Sequence, residues 1–144
     1  MASFVRDSQK GITDPVEGLH RLISCSLEVA SGNVVVGGCP VLNAAIESDD
    51  AFPALRVVAA EGAEWLRRRI RLLLLRASKR GRLRAGADID TLSHFFLASI
   101  EGGIMLARLH GKASPLAAVV RTLHGAIDAL SIDSTKSATA GNLD

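Results

Sequence analysis

All four prolines of this chain stand where a helix can begin. Proline fixes φ near −65° and lacks an N–H, so the first helical turn accepts it while a helix interior does not. Pro15 follows Asp14, which can cap, and precedes Glu17 in the first turn. Pro40 follows Gly37-Gly38-Cys39, and Pro115 follows Ser114. Pro53 has Asp49 and Asp50 just ahead, favourable at the positive end of a helix dipole. Gly32, Gly81 and Gly111 supply the matching stops. This punctuation, with apolar residues at helical spacing between, predicts five helices: 15 to 31, Pro40 to near Ser48, Pro53 to about Arg80, one from just after Asp88 to Gly111, and one from Ser114 to Leu130. Val34-Val35-Val36 could be strand-like, but one isolated run makes no sheet, so a loop is expected there. The expected fold class is all-α, a five-helix orthogonal bundle.

At 144 residues the chain fits one domain. Residues 1–12 read as an N-terminal extension, 13–130 as the domain and 131–144, aperiodic and rich in Ser, Thr, Ala and Gly, as a disordered tail. The 48% apolar content excludes a disordered chain. Aromatics, at 3%, are too few for a stacking platform for single-stranded nucleic acid or sugars. The net charge of +2 announces no polyanion binder. Two cysteines cannot form a disulfide framework, which points to a reduced, cytoplasmic setting. Apolar runs such as Leu72 to Leu75 fall far short of the ~18–20 residues of a membrane crossing, and Met1 to Lys10 has no apolar signal region.

Three residue groups invite a chemical reading. Nine Lys and Arg lie between Arg67 and Arg84 with no acid among them, but they circle the helix, so a solvated end is expected, with Glu64 able to pair with Arg68. Arg69 lies near the apolar sector of Leu66 and Leu73, where it must pair, snorkel or hold an anionic ligand. Cys39, at a helix start, has the placement of an activated thiol, yet no base stands beside it in sequence. Cys25 falls away from the main apolar stripe of its helix and is expected half-exposed. His20, His94, His110 and His124 show no metal-ligand spacing, and no catalytic order, P-loop or dinucleotide fingerprint occurs, so neither metal nor cofactor is expected. His20 reads as a hydrogen-bonded core or pocket histidine. The fourth predicted helix is apolar nearly all round, with a narrow polar strip of His94, Glu101 and Arg108, as for a helix buried on two sides.

The order Gly38-Cys39, Asn43-Ala44 and Glu47, then a long helix with Trp65, then Gly81-Arg82-Leu83-Arg84 before Asp88, then Ile100-Glu101-Gly102-Gly103, resembles the C-terminal ligand-binding and dimerisation domain of the TetR (tetracycline-repressor) family of bacterial transcriptional regulators. The resemblance covers residues 14–130. It implies a non-enzymatic homodimer formed by a four-helix bundle, and an apolar or amphipathic small-molecule effector acting allosterically. Together with helical facing, it implies a pocket walled by Leu22, Ser26, Cys39, Asn43, Trp65, Arg69, Phe95, Phe96 and Ser99. The implied dimer surface is Leu97, Gly102, Met105, Leu109, Leu116, Val120, Leu123 and Ile127, with Gly102-Gly103 admitting a second helix closely. The family's helix-turn-helix, about fifty residues long, does not fit in the thirteen residues before the first predicted helix, so direct DNA binding by these residues is not expected. Two other readings remain: a ligand-free interaction module that heterodimerises with a full-length regulator, and a thiol enzyme or redox sensor using Cys39.

Overall fold

The computed structural model describes residues 2–32, 34, 37–48 and 52–132. They form six helices: α1 (Ala2–Asp7), α2 (Pro15–Ala30), α3 (Pro40–Glu47), α4 (Pro53–Lys79), α5 (Ile89–His110) and α6 (Ser114–Leu130). The five expected helices are present, and each of the four prolines lies in a first turn. The sixth, α1, occupies the stretch read as an extension. Its Val5 is buried. Asp49 and Asp50, Val35 and Val36, and the tail from 133 onward lie outside the described residues.

Local chemistry sets the ends. The Asp14 carboxylate accepts from the Val16 N–H at 3.0 Å, and Asp88 accepts from the Thr91 N–H at 3.0 Å. Such caps satisfy orphan donors of the first turn and contribute about 1 kcal/mol each. Gly81 turns the chain out of α4 at φ 65°, where a side chain would be strained, and the Arg82 N–H closes back onto Ala77 O at 2.8 Å.

α2, α4, α5 and α6 pack around one core, and α3 lies along α4. Leu19 and Ile23 of α2, Ile70, Leu74 and Ala77 of α4, Phe96, Ile100 and Ile104 of α5, and Leu116, Leu123 and Ile127 of α6 fill it. Two glycines permit close helix contacts. A Cβ on Gly62 would stand 2.9 Å from Val41 Cγ2 of α3, and one on Gly103 would stand 2.8 Å from Leu116 Cδ1 of α6. Gly103 therefore receives this chain's own α6, not a second copy, and only Gly102 of the pair faces open space.

One end of the bundle is clamped. Ser131 and Leu83 pair as an antiparallel bridge. The Arg82 guanidinium donates to Asp14 at 2.9 Å, and Arg80 donates to Thr13 O at 2.8 Å. Much of the basic run is thus tied down. Arg67 and Arg68 both donate to Glu64, and Arg71 donates to Asp90 at 2.7 Å. The Arg68 and Arg71 pairs are exposed and hold register more than they stabilise, whereas Arg67 is mostly covered.

Three readings of facing change. Cys25 is 3% exposed, within the core. Val58, which helical spacing places on one face with Leu55, Ala59 and Gly62, is exposed together with Val57. Leu116, Val120, Leu123 and Ile127 are all buried against this chain's own core, so the apolar stripe of α6 is its inner face.

Candidate functional site

α1, α2, α4 and α5, with the residue just ahead of α3, line a cavity of about 50 Å³. Its wall is Val5 of α1, Leu22, Cys25, Ser26 and Val29 of α2, Cys39 ahead of α3, Leu66 and Ile70 of α4, and Leu97, Ile100, Glu101 and Ile104 of α5. Helical spacing explains the convergence: Leu22, Ser26 and Val29 follow at four and three residues, as do Leu97, Ile100, Glu101 and Ile104.

The polar groups are few. The Ser26 hydroxyl donates to Ile23 O at 2.6 Å, within its own helix. The Cys39 thiol donates to Glu101 Oε1 at 3.2 Å. Glu101 Oε2 is shut off from solvent and has no hydrogen-bond partner among the described residues. Burial raises the Glu101 carboxyl above the usual carboxylate range, opposed in part by the Cys39 hydrogen bond. Burial, reinforced by the Glu101 charge, pushes the Cys39 thiol up to about 11. At neutral pH Cys39 is a protonated thiol, so the helix start does not activate it.

The expected pocket residues therefore divide. Leu22, Ser26 and Cys39 line the cavity. Phe96 is fully buried beside it in the core. Trp65 lies in a separate shallow groove with Val41 and Gly62, and the Arg69 guanidinium stacks over the Trp65 ring at 6.0 Å. Phe95 and Ser99 line an outer groove with residues of α6. Asn43 bridges the α3 segment to α5, donating to Gly37 O at 3.0 Å and accepting from Arg108 Nη1 at 3.1 Å.

The carboxylate of the cavity was missed by sequence reasoning. Glu101 sits seven residues after His94 and seven before Arg108, which suggests one solvated strip. Instead Glu101 points inward and Arg108 folds over Gly38, where a Cβ would stand 2.7 Å from its Cδ. The signal that could have found it is the wrap of apolar residues: on a helix buried from two sides, a lone acid has few places to reach water.

The outer face of α5 and α6 is the second feature. Phe95, Met105, Leu106 and Leu109 are exposed, Leu109 by 76%, and run down one side of α5 around the open Gly102. Of the expected dimer residues, Gly102, Met105 and Leu109 lie on this face, whereas Leu97 lines the cavity. On α6 the exposed positions include Ala118, Thr122 and Gly125, together with Ser114, Arg121, Asp128 and Ala129. Length and composition alone would let α5, Ile89–His110, cross a membrane, with a mean hydropathy of 1.2 over its best window. Its apolar character has a structural account, since the inner side carries Phe96, Ile100 and Ile104 into the core.

Residues 15–123 match the family described as tetracyclin repressor-like, C-terminal domain. The chain belongs to this family. Its fold is that of solved TetR regulators. A TetR transcriptional regulator from Chloroflexus aurantiacus J-10-FL superimposes with a TM-score of 0.84 at 32% identity over 90% of this chain. A TetR-family regulator from Cytophaga hutchinsonii does so with 0.83 at 24% identity over 92%. The regulatory protein TetR from Rhodobacter sphaeroides follows with 0.69 at 27% identity over 85%. This TetR-like domain spans 66% of each of those chains. No curated protein matches it. Among its described residues no group of three or more His, Cys, Asp or Glu could hold a metal ion.

Proposed function

We propose that these residues are the effector-binding and dimerisation part of a TetR-like regulator, separate from the part that contacts DNA. The observation that carries the reading is the apolar cavity lined by four helices with a buried carboxyl, that of Glu101, in its wall. Ligand sites combine such apolar walls with a few orienting polar groups. At about 50 Å³ the cavity is far below the ~300–1,000 Å³ of a drug-sized site, so a ligand must part the walls to enter. That requirement supports an allosteric role, because a ligand that fits only the parted arrangement shifts the population toward it. α1 contributes Val5 to the wall, which gives an opening cavity a direct contact with the N-terminal helix.

The exposed face of α5 and α6 supports self-association, with two helices from each copy forming a four-helix bundle. The pairing surface in this reading is Phe95, Gly102, Met105, Leu106 and Leu109 with Ala118, Thr122 and Gly125. The α6 stripe of Leu116, Val120, Leu123 and Ile127 lies outside it.

Native mass spectrometry of the chain after expression in bacteria tests the effector reading. An apolar or amphipathic molecule should be retained at one per protomer and lost in Ile104→Phe, which fills the cavity. Retention unchanged in Ile104→Phe refutes the site.

A further inference from the structure

The cavity wall selects by charge. Among its residues are no Lys, Arg or His, and its single ionisable acid is Glu101. Ser26 spends its hydrogen on Ile23 O, and Cys39 spends its own on Glu101 Oε1. Glu101 Oε2 is left as the one buried side-chain oxygen or nitrogen without a partner among the described residues. The cation on the same helix face, Arg108, is turned to Asn43 and Gly38. Arg69, the residue that could have held an anion, stacks on Trp65 away from the cavity.

We propose that the cavity takes an amphipathic amine, its apolar body against Leu66, Ile70 and Ile100 and its ammonium hydrogen-bonded to Glu101 Oε2. The inference rests on the effector-binding reading and narrows it to a ligand class. A buried carboxyl is neutralised either by a proton or by a bound cation. With a cation it forms a charge-assisted hydrogen bond, about twice as strong as the neutral bond that an alcohol offers. A carboxylate ligand brings a second negative charge into a site of low dielectric with no cation to meet it. The same chemistry predicts that amine affinity rises with pH as Glu101 gives up its proton.

Isothermal titration of the full chain at pH 7.5 with octylammonium, octanol and octanoate tests this. The three share one apolar tail and differ in the head. Octylammonium should bind at one per chain and at least ~10-fold more tightly than octanol, which is the margin one charge-assisted hydrogen bond supplies. Octanoate should be weakest. Glu101→Gln should bring the amine down to the level of the alcohol. Glu101→Asp keeps the charge and should keep the preference, and melting by circular dichroism checks that each variant is folded. Octanol binding as well as the amine, or a preference that survives Glu101→Gln, overturns the amine proposal while leaving effector binding intact. If none of the three probes binds the wild-type chain, both fall.

Discussion

Replacing Glu101 by methionine should stabilise this domain at neutral pH. Methionine is unbranched, of similar length and a good helix former, so it fits the same track on α5 without strain and fills part of the cavity. The change removes Oε2, a buried acceptor with no partner, whose desolvation costs about 1–3 kcal/mol. Against this stands the lost Cys39 Sγ–H bond at 3.2 Å, a weak donor contributing about 0.5 kcal/mol. The net gain is about 1–2 kcal/mol, which for a domain of this size raises Tm by roughly 3–6 °C. The gain carries a pH signature. The folded-state pKa of Glu101 is raised by burial above the ordinary 4.5. A raised acid costs the wild type nothing below 4.5, an increasing amount as pH climbs to the folded pKa, and the full amount above it. The advantage of Glu101→Met should therefore be greatest near pH 7 and shrink toward pH 4.5, where the carboxyl is protonated in both states. Urea denaturation of the two proteins at pH 7.0 and pH 5.0 reads this directly. A variant less stable than wild type at pH 7.0, or an advantage that grows on acidification, refutes the idea that the carboxyl is held at a cost to the fold.

Three further outcomes follow from the packing. Gly103→Ala drives a Cβ to 2.8 Å from Leu116 Cδ1, and Leu116 is fully buried, so thermal denaturation should show a loss of about 1–2 kcal/mol despite alanine's better helix propensity. At the α2–α6 contact the His20 and His124 rings stack and hydrogen-bond through their Nδ1 atoms, with Asp128 accepting from His20 Nε2 at 3.1 Å and Ser24 Oγ hydrogen-bonded to His124 Nε2 at 3.2 Å. Burial, with the neighbouring His20, lowers the His124 pKa below 6.5, against the pull of Asp128. Stability should therefore fall as pH drops from 6.5 through the lowered pKa, and His124→Asn should flatten that part of the urea-midpoint profile. Phe95→Glu places a charge on the outer face of α5, and sedimentation velocity should show a shift from dimer to monomer with unchanged helicity; an unshifted dimer would move the interface elsewhere.

What could be read from the chain divides along the range of the forces involved. Proline placement, caps and glycine stops act over one helical turn, and they located α2 to α6 because Asp14, Asp88, Gly81 and Gly111 need no distant partner to act. α1 escaped notice because its six residues offer no full apolar stripe, and a helix that short forms through tertiary contact such as that of Val5. Facing was legible where one side of a helix is apolar, as on α2, and ambiguous where two sides are. On α5 and α6 the apolar pattern alone does not say which side meets the chain's own core, so neither the inward α6 stripe nor the inward Glu101 follows from it. The family resemblance supplied the fold and the general location of a cavity; the direction of each side chain on α5 needed the packed neighbours.

The small size of the cavity and its orphan oxygen describe the same state. A carboxyl without a partner in an apolar wall is unfavourable, and natural cores retain such groups where another state uses them. If the parted arrangement gains an ammonium at Oε2, the closed arrangement is the one that carries the cost, which lowers the free energy needed to open. The wall with the lightest hold on the core is α1, whose single buried residue, Val5, lies outside the core cluster. None of the α3 residues is buried, and its tie to α5 is the Asn43–Arg108 hydrogen bond at 3.1 Å together with the fold of Arg108 over Gly38. The α2, α4 and α5 walls carry Val29, Ile70, Ile100 and Ile104, and Cys39 ahead of α3 belongs to the same core, so none of these moves without disturbing it. Ligand entry would then displace α1 first, leaving the thiol's bond to Glu101 Oε1 in place and Oε2 for the incoming amine.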